Sequence, residues 1–386
     1  MKTYRVAILG CGGRGRAAGS GYRSHPRTDL VALCDLDQAR LDALGEELGV
    51  AARYNDLDLM IEETRPDIVA IPTATEFHYP LAMRVLEHGV NIEVEKPPCW
   101  DLAEADAIRA KAQEQGVRFA VHSQGPVGPA MQAVIQAYEE GRIGRLRYIT
   151  GSDKGYYAGY GLMNMGFHVI SYLCRLTGRC RSIAASGVTG GHPVTPQDVV
   201  TSPQGMGTIA AENITATLQF DDSVAATLLL HRLPANDSMA HVVEWYGTEG
   251  RLLYNYKLAT SWWLPHPHFV PDGERDQWQR LEPVYPDGYD PDSGVWPDDI
   301  SFAEEYVRAL DEGRDHWCGG DNAVHIMEIM MGVFESVAYR RQVDLPQPHR
   351  DHPLLRWRGE HGLDDPAPMP RPYREWAAAE DARIRG

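Results

Sequence analysis

The chain predicts a doubly wound parallel α/β sheet followed by an open, mainly antiparallel α+β sheet domain. Three observations carry that prediction. An apolar strand at the N-terminus runs straight into a glycine-rich turn and a helix; apolar strands and helices then alternate to about residue 124; and beyond that point segments alternate in polarity around short turns. The resulting division is 1–124 for the parallel-sheet domain, 125–345 for the second domain, and 346–386 for a proline-rich extension packed on the protein.

Residues 5–9 read as a buried strand that leads into Gly10-Cys11-Gly12-Gly13-Arg14-Gly15, and Arg16 then starts a helix. A dinucleotide site needs this order: Gly10 for a tight turn, Gly12 so that backbone can approach a pyrophosphate, and Gly15 for close packing of helix on strand. The N–H groups at the helix start, from Gly12, Gly13 and Arg14 onward, then face phosphate. A second strand, residues 30–34, ends in Asp35, about 20 residues beyond the fingerprint, where an acid binds the ribose 2′-hydroxyl. Asp35 repels a 2′-phosphate and Asp37 adds a second negative charge, so NAD is favoured over NADP. Arg40, one helical turn on, is either a phosphate ligand or a solvated helix residue.

The alternation continues with a helix over 36–48, an apolar strand over 68–71 and a helix over 80–87 closed by Gly89. The loop between the last two lies on the cofactor side and holds Thr73 and His78; His78 either touches cofactor or packs and caps the next helix. The next strand, residues 91–95, is stopped by Pro97 and Pro98, neither of which can donate a ladder hydrogen bond. Glu95 and Lys96 are thereby left at a strand's carboxyl end, where open parallel sheets bind ligands. After a helix start at Asp101 and Glu104, residues 117–121 form another strand, with His122 at its end as either a ligand contact or a hydrogen-bonded structural residue.

In the second half, residues 144–150 alternate like a half-buried strand, and a helix over 161–173 is entered through glycines. Asn164 and His168 are four apart, which puts an amide and an imidazole on one helix face. Tyr156, Tyr157 and Tyr160 precede them as either sugar contacts or packing. Residues 214–220 and 223–230 make a hairpin about Asp221-Asp222, and 241–246 with 251–256 make another about Gly247-Thr248-Glu249-Gly250. Residues 265–297 suit an ordered loop, 300–310 and 324–340 amphipathic helices. The tail holds Trp357, Tyr373 and Trp376, too many aromatics to float free.

Bulk properties narrow the partners. A chain of 386 residues exceeds one core, and its formal charge of −17 repels nucleic acid and anionic membrane. No window has the roughly 18 apolar residues of a membrane span, and the N-terminus lacks a signal peptide's apolar core, which favours a cytoplasmic protein. Six cysteines without Cys-x-x-Cys spacing support neither a disulfide framework nor a metal site.

The sequence resembles the Gfo/Idh/MocA family (glucose-fructose oxidoreductase and inositol dehydrogenase) over about residues 5–345. The resemblance rests on the fingerprint with Asp35, on Glu95-Lys96-Pro97, on Asn164-x-Gly166-x-His168 and on Gly247-Thr248-Glu249-Gly250. It implies a Rossmann domain followed by an open sheet that carries substrate and oligomer contacts, hence a homodimer or homotetramer. It also implies Lys96 beside the nicotinamide and His168 acting on a substrate hydroxyl. The expected activity is NAD-dependent hydride transfer to or from a secondary hydroxyl of a sugar, sugar derivative or cyclic polyol, with Lys96 and His168 catalytic and Asn164, Tyr157 and His122 meeting substrate. Two other outcomes fit the same cofactor: glycoside cleavage by transient oxidation, elimination, water addition and re-reduction, or a non-catalytic regulator.

Overall fold

The computed structural model describes residues 2–233, 238–268, 273, 276–368 and 373–385. Part of the 265–297 loop lies outside them. The chain begins β1 (Tyr4–Leu9), α1 (Gly13–Ser24), β2 (Thr28–Cys34), α2 (Gln38–Leu48), β3 (Arg53–Tyr54), α3 (Leu57–Thr64) and β4 (Ile68–Ile71). It continues with α4 (His78–Glu87), β5 (Asn91–Glu95), α5 (Leu102–Gln115), β6 (Phe119–His122), α6 (Pro129–Glu139), β7 (Leu146–Ser152), α7 (Ala158–Gly161) and α8 (Phe167–Arg175). Then come β8 (Cys180–Thr189), β9 (His192–Pro193), β10 (Val200–Thr201), β11 (Thr208–Ile209), β12 (Asn213–Phe220), β13 (Ala225–His231), β14 (Val242–Gly247), β15 (Arg251–Asn255), β16 (Thr260–Leu264) and β17 (Gln279–Leu281). The last elements are α9 (Pro297–Glu312), α10 (Gly320–Tyr339), β18 (Val343–Asp344), α11 (Pro353–Glu360) and α12 (Tyr373–Arg385).

Packing divides the chain into two units. The first is Met1–Cys99, Ala103–Pro129 and Tyr285–Val324; the second is Trp100–Leu102, Ala130–Val284 and His325–Gly386.

The first unit is built on a six-stranded parallel sheet in the order β3-β2-β1-β4-β5-β6. The order reverses beside β1, the switch point at which such sheets open a crevice for ligand. Local sequence sets the helix limits. Asp37 accepts from the N–H groups of Ala39 and Arg40, so α2 starts at Gln38, two residues later than its composition suggests. Conversely, α4 starts two residues earlier than expected, at His78, because Pro80 falls in the first turn, where its missing N–H costs nothing. Residues 285–324, far along in sequence order, return to complete this core. From α9, Phe302 and Tyr306 are buried with Val6, Ile8 and Ile68, and the Tyr306 hydroxyl donates to Ile92 O at 2.7 Å.

The second unit is built on a ten-stranded sheet, β17-β16-β15-β14-β7-β13-β12-β8-β18, with β9 on β8. Both expected hairpins are present, β12 with β13 and β14 with β15. In β12 alternate residues Ile214, Ala216 and Leu218 are buried while Thr217 and Gln219 are exposed, the period of a sheet with one covered face. One feature departs from a simple meander: β13 pairs with β7 in parallel. The turn at residues 247–250 fits against residues 142–145, where a Cβ on Gly247 would lie 2.0 Å from Ile143 O. Gly151 in β7 does the same service for α8, since a Cβ there would stand 3.0 Å from Val169 Cγ1. That close approach seats the helix that carries His168.

No helix among the described residues is long and apolar enough to cross a membrane. All six cysteines are free thiols, buried except for the half-buried Cys174.

Candidate active site

In the first unit the glycine turn joins β1 to α1. Gly10 has φ +116°, a conformation that a side chain rarely adopts. A Cβ on Gly15 would lie 2.0 Å from Gly10 O, so only glycine lets the helix start this close to the strand. At Gly12 and Gly13, by contrast, an added Cβ meets nothing within 4 Å. Gly12 is also the N-cap of α1 and supplies no side-chain cap. The first N–H groups of the helix therefore stand beside open space, with the positive end of the helix dipole behind them. This is the environment a pyrophosphate requires.

Asp35 sits at the end of β2, next to that turn. Its Oδ2 accepts from Cys11 N at 2.6 Å and its Oδ1 from Asp37 N at 2.8 Å. Each carboxylate oxygen keeps a second lone pair, so the group is oriented without being saturated and suits a ribose hydroxyl donor. Arg40 is drawn to Asp37, with its Nε 3.2 Å from Asp37 Oδ2. The residues present thus fit NAD: Gly12, Gly13 and Arg14 toward the pyrophosphate and Asp35 toward the ribose.

The end of β5 is held by a charge network that is buried except for the exposed Arg14. Arg14 Nε donates to Glu95 Oε2 at 2.8 Å, tying the fingerprint to the Glu-Lys-Pro strand end. Burial alone would raise the Glu95 pKa, but Arg14, His122 and Lys96 outweigh it and hold the carboxyl below its usual range. His122, 2 % exposed, pairs through Nδ1 with Glu93 and through Nε2 with Asp299 Oδ1 at 3.1 Å, and the Tyr22 hydroxyl donates to Glu93. Burial pushes the imidazole toward neutrality, yet Glu93, Asp299 and Glu95 prevail and lift its pKa to about 10. Both ring nitrogens are therefore committed inside the unit. His78 is likewise fully buried, with Nδ1 2.7 Å from Pro97 O and Nε2 3.0 Å from Thr73 O. It ties the Thr73 loop to the Lys96–Pro97 step, whose peptide bond is cis. Lys96 itself is half-buried at the mouth of this framework.

In the second unit, α7 and α8 are joined by one π-helical turn, Leu162–Gly166, that contains Asn164. Such turns widen the backbone and recur where helices carry ligand groups. Asn164 Nδ2 donates to Tyr160 OH at 2.8 Å. His168, in the first turn of α8, is 3 % exposed and stacks on Tyr256 with ring centroids 5.3 Å apart. Tyr157 is also buried, edge-on to Trp376 at 5.2 Å, which makes its ring part of the packing beneath α12.

Sequence reasoning missed Glu93, Asp299, Tyr22 and Tyr256. Only the alternation of carboxylates in Asn91–Glu95 marked Glu93, as a residue facing inward on a central strand. The first unit offers an amine at a strand end and a dinucleotide cradle; the second offers an imidazole and an amide on one helical segment. Among the described residues no group of three or more His, Cys, Asp or Glu is placed to hold a metal ion.

Residues 4–123 match the family model described as oxidoreductase family, NAD-binding Rossmann fold. D-apiose dehydrogenase of Paraburkholderia graminis is 29% identical over 213 residues, 52% of this chain and 57% of that protein. The match therefore spans little more than half of that relative's own length. D-apiose dehydrogenase of Rhizobium rhizogenes is 21% identical over 361 residues, 89% of this chain and 98% of that protein. Among solved structures, levoglucosan dehydrogenase in complex with NADH and levoglucosan superposes with a TM-score of 0.72 at 18% identity, covering 90% of this chain and 100% of that one. The fingerprint, Asp35, the Glu95-Lys96-Pro97 strand end and these likenesses agree that residues 4–123 form the NAD-binding Rossmann domain of the GFO/IDH/MocA oxidoreductase type.

Proposed function

We propose that the protein transfers a hydride between NAD and a secondary hydroxyl of a sugar, sugar derivative or cyclic polyol. Bound NAD supplies the hydride acceptor. Removing a hydride from carbon leaves positive character there unless the hydroxyl proton departs as well, so the protein must supply a base and stabilise the oxygen as it loses its proton. His168 suits the base, since an imidazole's ordinary pKa of about 6.5 lies near working pH. Lys96, at a strand's carboxyl end, has the chemistry to stabilise an oxygen that is losing its proton, and its half-buried setting strengthens that electrostatic help. Asn164 does not titrate and serves as a hydrogen-bonding group for a neighbouring hydroxyl. His78 and His122 act from behind: the first fastens the loop that precedes α4 to Pro97, and the second keeps a positive charge next to Glu95 so that the strand end holds its place. Tyr157 contributes through packing of the wall that bears the amide.

The observation that carries this reading is the coupling of the nucleotide fingerprint to Lys96, through Arg14 on Glu95. A homodimer or homotetramer in the cytoplasm, without nucleic-acid or membrane partners, is part of the same proposal.

The test is a panel of D-apiose, scyllo-inositol, levoglucosan and an aryl glucoside with NAD, recording nicotinamide absorbance and aglycone release together. Reduction of NAD that is lost in Lys96→Ala supports the reading. Aglycone release that requires NAD but accumulates no NADH points to the transient-oxidation route, and a biological effect indifferent to both Lys96→Ala and His168→Ala points to a regulator.

A further inference from the structure

The C-terminal helix α12 lies outside the roles assigned so far, yet it is fastened to the segment that carries Asn164. Trp376 is 2 % exposed and Tyr160 is 1 % exposed. The Tyr373 ring lies flat on the Tyr160 ring, with centroids 4.5 Å apart and planes within 17°. Stacking of this kind adds specific geometry to apolar burial. Polar anchors fix the rest of the helix. Asp381 pairs with the buried guanidinium of Arg232, which also donates to Gly155 O at 3.0 Å, and Arg383 donates to Glu212 at 2.6 Å.

A directed hydrogen-bond chain starts where the rings stack. Tyr160 OH donates to Gln204 Oε1 at 2.8 Å, so its oxygen is the acceptor for Asn164 Nδ2, also at 2.8 Å. A phenol has one proton to give, and Gln204 takes it. That choice turns the NH₂ group of Asn164 toward Tyr160 and its carboxamide oxygen the other way. An amide held so presents an acceptor, the complement of a sugar hydroxyl's proton.

We propose that α12, through the stack of Tyr373 on Tyr160, sets the orientation of the Asn164 amide and thereby the affinity for the hydroxyl-bearing substrate. Tyr160 and Tyr373 are positioning residues in this scheme, and it rests on Asn164 being a substrate group, as proposed above.

The test uses the full-length chain and needs substrate for only one of its two arms. Without substrate, hydrogen exchange of residues 156–166 is compared in wild type, Tyr373→Ala and Tyr373→Phe. With the best substrate of the panel, KM and kcat are measured for these and for Tyr160→Phe and Asn164→Ala. The expected result is faster exchange in Tyr373→Ala alone. KM should rise about fivefold to tenfold in Tyr373→Ala and Tyr160→Phe, the loss of one oriented hydrogen bond, with kcat and the KM for NAD within about twofold. Tyr373→Phe, which keeps the stack, should match wild type. Unchanged exchange and KM in Tyr373→Ala, with KM raised in Asn164→Ala, overturns the inference and leaves the functional reading standing. A normal KM in Asn164→Ala removes that residue from the substrate site, and the inference falls with it.

Discussion

Replacing Gly12 by alanine separates a nucleotide site from a merely tight turn. Gly12 has φ −76°, a value open to any residue, and a Cβ there meets no atom of the protein within 4 Å. Folding should therefore be little changed: the stiffer unfolded chain adds about 0.4–1 kcal/mol of stability, which roughly offsets the poorer N-cap that alanine makes. If backbone must approach a pyrophosphate at this point, however, the new methyl stands in the ligand's place. Overpacking of one methyl costs about 1–3 kcal/mol, which corresponds to dinucleotide binding weaker by roughly fivefold to 150-fold. Gly15→Ala is the contrasting variant, because its Cβ would lie 2.0 Å from Gly10 O and must break the turn itself. The assay pairs a thermal melt with a calorimetric NADH titration for both variants. Gly12→Ala should melt close to wild type and bind NADH poorly; Gly15→Ala should melt lower. A Gly12→Ala protein that binds NADH like wild type would refute the placing of the phosphates beside α1.

Four other outcomes are expected. Lys96→Met should lower kcat by about 10²–10⁴ with NADH affinity within threefold, measured by steady-state kinetics beside calorimetry. Asp35→Asn, which keeps an acceptor for Cys11 N but removes the charge, should narrow the preference for NAD over NADP about tenfold in paired kcat/KM values. His122→Ala should cost about 3–5 kcal/mol in urea unfolding, because it leaves Glu93 and Asp299 buried without their cation. The raised His122 pKa means that its own contribution is complete below about pH 6.5 and is lost as pH climbs to about 10. Asp298 is fully buried, and burial, with the charge of Asp299 second, pushes its pKa up to about 7. Folding thus favours its protonated form, a contribution lost as pH rises toward 7. The advantage of Asp298→Asn should accordingly grow by about 2 kcal/mol between pH 5 and pH 7 and level off above that, as read from unfolding midpoints.

Features encoded within a few residues were legible in the sequence. The glycine turn, the proline stop after Glu95 and the alternation in β12 each follow from local sterics or period. What escaped were pairings across long separations. His122 stands at a strand end in the sequence and invites a ligand, but Asp299, 177 residues away, takes its second nitrogen. No local pattern announces that partner. Tyr157 and Tyr160 look like sugar-facing aromatics until Tyr373 and Trp376 cover them. The π turn at Leu162–Gly166 was invisible for another reason, since it differs from an α-helix by one hydrogen-bond step rather than by composition.

The return of Tyr306 to Ile92 O has a bearing on biosynthesis. A ribosome that has released only the first 124 residues has delivered every strand of the six-stranded sheet, but none of α9. Nascent chain must wait, with Phe302's niche unfilled, while nine of the ten strands of the second sheet emerge in between. Gene fragments cut after the sixth strand should for that reason yield aggregating material, whereas splicing 285–324 back onto them by a short linker should restore solubility.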